Sequence, residues 1–219
     1  MEGFEKMSAR ITLLGLTILG LVAMPGGPAR ARTQTRLGMQ DVQLYGGELF
    51  GANHLTEPPL SGSSPRLDND AIFGGRYTYD VSSQWGVQLS ASHSPSRTAH
   101  LSSATADLGL TMVDIDAVWN ITPGFQLVNR EFFPYAVVGV GYAWAQLNHP
   151  LSGRVGTTPF TTGDGNGYTA NAGIGVKYDL RGNLFVDFDA RYRYLSRLVN
   201  RNGQGLSTGE TTIGLGYQF

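Results

Sequence analysis

Apolar and polar residues alternate with a period of two along most of this chain. In residues 184–194 one face is apolar, while the other carries four charged residues, Asp187, Asp189, Arg191 and Arg193. Successive side chains of a β-strand point to opposite faces, whereas the apolar face of a helix repeats about every 3.6 residues. The chain is therefore predicted to consist of β-strands whose two faces meet different surroundings.

The alternation recurs in eight segments, and we predict one strand for each. They are residues 42–50, 71–81, 85–93, 112–121, 132–147, 168–180, 184–194 and 209–219, with a glycine bulge at Gly46-Gly47 in the first. Eight strands form the smallest common membrane barrel, whose interior has room only for side chains. The predicted fold is all-β, an eight-stranded antiparallel up-and-down transmembrane β-barrel with small and paired polar residues inside.

The connections between these segments alternate in length. The second and sixth are short, residues 82–84 and 181–183, and the fourth, 122–131, is moderate. The other four are long: 51–70, 94–111, 148–167 and 196–208. Outer-membrane barrels have short periplasmic turns and longer external loops. This parity predicts four external loops and places both termini in the periplasm.

Aromatic residues lie near the predicted strand ends, as expected for the girdles at two membrane interfaces. They are Tyr77, Tyr79, Trp85, Trp119, Trp144, Tyr168, Tyr178, Tyr194, Tyr217 and Phe219. The competing interpretation is a soluble β-sandwich with these residues in its core. That fold would need more charged surface than the chain offers.

The N-terminal segment has the order of a secretory signal peptide. Lys6 and Arg10 precede an apolar run, 11–24, and the triplet Ala29-Arg30-Ala31 follows. A spanning helix is the alternative, but this run would reach only about 21 Å of a hydrocarbon core of about 30 Å. We predict a cleaved signal peptide, 1–31, a barrel domain, 32–219, and location in the outer membrane of a Gram-negative-type bacterium. Translation starts at Met1 or Met7.

Composition excludes several classes of function. The chain has no cysteine, which excludes disulfides, thiolate catalysis and a lipid-modified N-terminal cysteine. A net charge of -1 without any basic run argues against nucleic-acid binding. The mean hydropathy of -0.13 is too polar for a helical membrane protein.

The charged residues on the inner faces are predicted to form a lumen charge network. It comprises Glu48, Arg76, Asp114, Asp116, Lys177, Asp187, Asp189, Arg191, Arg193 and Glu210. We favour a paired network that fills the narrow lumen. The alternative is a narrow channel for ions or small solutes. No cofactor or metal is expected, because residues 164–167 lack the later ligands of a calcium loop.

A second alternative is a lipid A-modifying hydrolase. It would use His93 with Ser94 or Ser96, at the end of the third strand, as a nucleophile and its base. The sequence offers no firm acid partner, so a solvated loop is the preferred interpretation and no catalytic residue is predicted.

Residues 212–219, TIGLGYQF, resemble the C-terminal β-signal of outer-membrane proteins through Thr212, Gly214, Tyr217 and Phe219. This resemblance implies recognition by the barrel-assembly machinery, after passage with periplasmic chaperones. Residues 73–79 (FGGRYTY) and 133–142 (FPYAVVGVGY) are similar to the small outer-membrane β-barrel family that includes the OmpA membrane domain and opacity-type surface proteins.

The family resemblance implies contact with outer-membrane lipid and lipopolysaccharide. It also implies a structural or surface-interaction role, in which the long loops meet an external ligand. Larger OmpA-type proteins carry a peptidoglycan-binding domain after the barrel, and no such domain is predicted here.

Overall fold

The computed structural model describes residues 38–50, 66–101, 104–121, 125–127, 130–148, 151–155, 158–162, 164–180, 182–196 and 205–219. The predicted signal peptide and most of the predicted loop 51–70 lie outside these residues. No helix long and apolar enough to cross a membrane occurs in the described parts of the chain.

Eight long strands form one closed antiparallel sheet. They are β1 (Gln40–Leu49), β2 (Asp70–Asp80), β3 (Trp85–Leu101), β4 (Ala104–Asn120), β5 (Arg130–Leu147), β6 (Gly165–Asp179), β7 (Leu184–Ser196) and β8 (Gly205–Gln218). Each pairs with its neighbours in sequence, and β8 pairs with β1. The predicted up-and-down barrel is confirmed.

Within the described ranges, four short strands accompany the barrel. Arg66–Leu67 pairs with β3, and Phe125–Leu127 pairs with the beginning of β5. Leu151–Val155 and Thr158–Thr162 form a separate hairpin within the predicted loop 148–167.

The pairing register fixes the size of the barrel. A path that starts at Gln40 and crosses from partner to partner around the barrel reaches Gly209 on β8. The carbonyl of Gly209 accepts the amide of Phe50 (2.7 Å), so the path returns ten residues beyond its start. With about 3.4 Å per residue and about 4.8 Å between strands, this stagger gives a tilt of about 40° and a backbone radius of about 8 Å. A long side chain from the wall therefore reaches the barrel axis.

The predicted glycine bulge in β1 is wrong. Gly46 and Gly47 each pair with one residue of β8 and one of β2, without a shift in register. A Cβ atom at Gly47 would overlap with the backbone carbonyl of Thr211. Glycine there allows the close approach of two strands and adds no extra residue.

The predicted loop 94–111 is also wrong, because strand pairing continues through most of it. β3 and β4 are 17 residues long, and their register shifts between Ser94 and Arg97. Seventeen residues tilted by about 40° rise about 44 Å, whereas the apolar band of such a barrel is about 25 Å tall. The β3–β4 hairpin is therefore longer than such a band is tall.

Candidate functional site

The inner faces of the strands bring nine of the ten predicted network residues into the lumen. Their side chains are almost fully buried, with at most 4% of each residue exposed: Arg76, Asp114, Asp116, Lys177, Asp187, Asp189, Arg191, Arg193 and Glu210. Glu48 is the exception. Because β1 has no bulge, Glu48 points outward like Val42 and Leu44, and its side chain is exposed. It accepts a hydrogen bond from Asn69 Nδ2 (2.9 Å).

Arg191 on β7 spans the lumen. Its Nε donates to Asp189 Oδ1 (2.7 Å), and its Nη1 donates to Asp116 Oδ2 (2.8 Å) on β4. Its Nη2 donates to Gln88 Oε1 (2.7 Å) on β3. Because β3 and β7 are four strands apart in an eight-stranded barrel, this side chain joins opposite walls.

Arg193, two residues further along β7, forms a second bridge. Its Nη1 donates to Asp114 Oδ2 (2.7 Å), and its Nη2 donates to Glu210 Oε2 (3.0 Å). Thr169 Oγ1 lies 3.1 Å from the same Nη1. Charged side chains at this depth need such multiple partners, since each has lost its water.

Arg76 on β2 crosses the seam at which β1 meets β8. Its Nη2 lies 3.2 Å from Asp189 Oδ1 and 3.5 Å from Glu210 Oε1, and its Nη1 lies 3.6 Å from Asp187 Oδ2. The guanidinium also stacks 4.1 Å from the ring centre of Tyr45 on β1. One cation thereby ties β1, β2, β7 and β8 together from inside.

The periplasmic end of the lumen has its own pair. Lys177 Nζ lies 2.5 Å from Asp41 Oδ2, and the ring centre of Phe185 is 5.1 Å from the same nitrogen. The hydroxyl of Tyr135 lies 2.8 Å from Asp189 Oδ2 and 3.0 Å from the Asp187 carboxylate.

Sequence reasoning missed several members of this network, among them Asp41, Gln88, Tyr135 and Thr169. Asp41 directly precedes the first predicted strand. The other three occupy inward positions of their strands, and this position could have identified them. They were not included because the predicted network comprised charged residues only.

Glycines on the inner faces make room for the network. A Cβ atom at Gly139 or Gly141 on β5 would overlap with the carboxylate of Asp116 or Asp114. On β6, a Cβ atom at Gly175 would overlap with the Tyr135 ring. Glycine at these positions therefore accommodates larger side chains from the directly paired residues of the neighbouring strand.

Apolar residues fill the external part of the lumen, where small and polar residues were expected. They are Leu49, Ile72, Leu108, Leu110, Met112, Leu195 and Leu206, none more than 7% exposed. We refer to them as the external apolar layer. In the described lumen, the ion-pair network therefore fills one part, and packed apolar side chains fill the external part.

His93 and Ser94 do not form a catalytic pair. His93 faces outward, with Nδ1 2.9 Å from Thr111 Oγ1 and its ring 5.6 Å from that of Phe73. Ser94 faces inward and donates to Asp70 Oδ2 (2.8 Å). The wall of the barrel separates the imidazole from this hydroxyl, and the side chain of Ser96 lies outside the described residues. Within the described chain no group of three His, Asp or Glu side chains is arranged to hold a metal.

The C-terminal motif lies on the strand that closes the barrel. Thr212 and Gly214 face the lumen, and Tyr217 and Phe219 face outward. Phe219 donates its amide to the Gln40 carbonyl (2.9 Å), and the Gln40 amide donates back (3.2 Å). Recognition of this motif by an assembly machinery stays a prediction.

Comparisons with known proteins agree with this architecture. The family model for the outer membrane protein beta-barrel domain matches residues 14–219. The crystal structure of the outer membrane protein OprG from Pseudomonas aeruginosa superposes with a TM-score of 0.53 at 17% identity, over 84% of this chain and 96% of that one. Neisserial surface protein A gives 0.54 at 16% identity, over 83% and 99%. No curated protein gives a significant sequence match.

Proposed function

Because this chain belongs to the outer-membrane protein β-barrel family, we propose that it is a closed barrel that acts through its external surface, without catalysis or conduction. Its location is the outer membrane of a Gram-negative bacterium. The observation that carries the proposal is the hydrogen bond between Arg191 and Gln88, which crosses the lumen from wall to wall.

The dimensions of the barrel support a closed lumen. At a radius of about 8 Å, inward side chains from opposite walls meet. Arg76, Arg191 and Arg193 each contact at least two carboxylates there, so an ion could pass only after these pairs separate. The external apolar layer adds a constriction of the kind that excludes water and ions.

The external end supports a surface role. β3 begins at Trp85, an exposed aromatic of the periplasmic girdle, and about ten residues suffice to cross the band. The strand therefore leaves the membrane near residue 95, where its register shifts. Beyond that point it still pairs with β4 and with Arg66–Leu67, which gives external partners an ordered sheet to contact.

Planar-bilayer recording tests the closed lumen. Refolded protein should give no stable conductance steps, and Arg191→Ala should stay silent because the external apolar layer remains. Adding Leu110→Gly and Leu195→Gly should then produce steps, whereas Leu89→Gly and Leu215→Gly, on the outer wall, should not. Stable steps in the unaltered protein that disappear on changing Arg191 or Asp189 would establish the channel instead.

Surface labelling tests the external role. The natural chain has no cysteine, so one introduced cysteine is unique. On intact cells a membrane-impermeant maleimide should label Thr98→Cys in the β3–β4 hairpin but not Ser83→Cys in the turn before β3. Labelling of the second variant alone would invert the orientation and refute the proposal.

We further propose that residues 1–31 are a signal peptide. The order of charge, apolar run and small residues supports it. The intact mass of the protein from outer membranes should then correspond to a chain beginning at Arg32, and a chain that retains the apolar run would refute the cleavage.

A further inference from the structure

A narrow furrow runs along the outer wall of the barrel on β6. The outward residues of this strand are Tyr168, Ala170, Ala172 and Ile174, so two methyl groups lie between larger side chains. On one side Val140 and Val138 pair with the alanines, and on the other side Tyr194 and Tyr192 do. All four flanking side chains are exposed, and they rise above the alanine floor as walls.

The external end of the furrow is a cavity of about 480 Å³ with Ala170 as its floor. Tyr168, Tyr194, Val140 and Ile115 enclose it. The ring of Tyr194 rests on the backbone of Gly205, where any side chain would overlap with it, and the ring of Tyr168 packs edge to face on Tyr142 (5.7 Å). Neighbouring residues therefore hold both tyrosine walls in place.

The furrow has the depth of one membrane leaflet. Tyr168 is 74% exposed, and Tyr178, ten positions along β6 with the same parity, is buried against Phe132 (5.0 Å). Ten positions correspond to about 26 Å along the membrane normal at a tilt of about 40°, and the apolar band is about 25 Å tall, so the exposed ring of Tyr168 lies at the external edge of the band. Ile174 closes the furrow six residues below Tyr168, about 15 Å deep, near the middle of the bilayer.

We propose that this furrow binds one acyl chain of lipid A. An unbranched chain matches a straight apolar furrow that starts at the interface and ends at the midplane. The furrow opens at the external end of the barrel, where the lipid is lipopolysaccharide, and the tyrosine hydroxyls lie at the level of its polar headgroup. The occupant binds the outer wall and not the lumen, so this site is independent of whether the lumen conducts.

Native mass spectrometry of the full chain, released from detergent containing lipid A, tests the site. The unaltered protein should retain one lipid A, and Ala170→Leu with Ala172→Leu should weaken retention about tenfold, the effect of displacing about two methylene groups. Ala91→Leu with Ala117→Leu places the same leucines on exposed alanines of β3 and β4 and should retain the lipid. Heat-modified gel mobility verifies that each variant is folded.

A parallel titration uses phosphatidylglycerol with acyl chains of matched length. Selective loss of lipid A from the furrow variant alone supports the proposal. Equal retention of lipid A by both double variants overturns it. Equally tight retention of phosphatidylglycerol by the unaltered protein overturns the assignment to lipid A, because the furrow would then accept any acyl chain.

Discussion

Replacement of Arg76 by methionine should destabilise the barrel more than any single change on its outer wall. Arg76 is 3% exposed and lies within 3.6 Å of three carboxylates. Methionine keeps much of the apolar stem but removes the charge. Removing one partner from a buried ion pair costs about 3 to 5 kcal/mol, since the other charge stays buried without compensation.

The remaining partners place the expected loss near the lower end of that range. Asp189 keeps Arg191 at 2.7 Å, and Glu210 keeps Arg193 at 3.0 Å. Asp187 loses its ion pair with Arg76 and keeps the hydroxyl of Tyr135 at 3.0 Å. We therefore expect a decrease of about 3 kcal/mol in the free energy of unfolding.

Urea unfolding in phospholipid vesicles, followed by tryptophan fluorescence, measures this change. Trp85, Trp119 and Trp144 all face the lipid, so unfolding moves each of them to water. Arg76→Lys keeps a charge with fewer donors and should lose less. Arg76→Met combined with Asp187→Asn should recover part of the loss, because the unpaired carboxylate is gone.

Two results would refute the reasoning. A loss below about 1 kcal/mol for Arg76→Met would mean that water or other partners compensate the three carboxylates. Strictly additive losses in the double variant would mean that Arg76 and Asp187 do not interact. The slope of the unfolding curve must stay unchanged for either comparison to hold.

Two further predictions concern the inner glycines and the C-terminal residue. Gly139→Ala should cost about 1 to 3 kcal/mol in the same unfolding assay, since its methyl would overlap with the Asp116 carboxylate and lie 2.8 Å from the Ile115 carbonyl. Gly75→Ala is the control, with its nearest atoms at 3.5 and 3.6 Å, and an equal loss there would contradict the steric explanation. Deletion of Phe219 removes both hydrogen bonds to Gln40 and should lower the yield of heat-modifiable barrel in outer membranes, whereas Phe219→Tyr should not. Unchanged yield after the deletion would count against the terminal signal.

Local alternation was sufficient to predict the eight strands and the faces of most of their residues, whereas beyond Gly46-Gly47 in β1 the predicted bulge assigned Glu48 to the wrong face. In β7 each of Asp187, Asp189, Arg191 and Arg193 lies on the predicted inner face. The reason is that lipid and lumen impose opposite requirements on neighbouring residues of one strand.

Partners across the lumen could not be predicted in the same way. Arg191 and Gln88 are 103 residues apart, and alternation assigns a residue to a face without saying which strand stands opposite. Their contact depends on the ten-residue stagger, which emerges only when all the strands are paired.

Strand ends and the external apolar layer were missed for a related reason. Leu110 and Leu206 lie in segments that the sequence assigned to loops, where serine, threonine and glycine obscure the alternation. Their strand conformation follows from pairing across the sheet, Leu110 with Ser94 on β3 and Leu206 with Leu195 on β7. Tertiary pairing overrides weak local preference at such ends.

The buried charged residues also give the interior of the barrel a net charge. Among the described residues, seven buried acids, Asp41, Asp80, Asp114, Asp116, Asp187, Asp189 and Glu210, outnumber four buried bases, Arg76, Lys177, Arg191 and Arg193. A tube with low-dielectric walls concentrates such a potential along its axis. Any leak through a damaged barrel would therefore favour cations over anions, so the side chains that fill the lumen also determine what could escape through it.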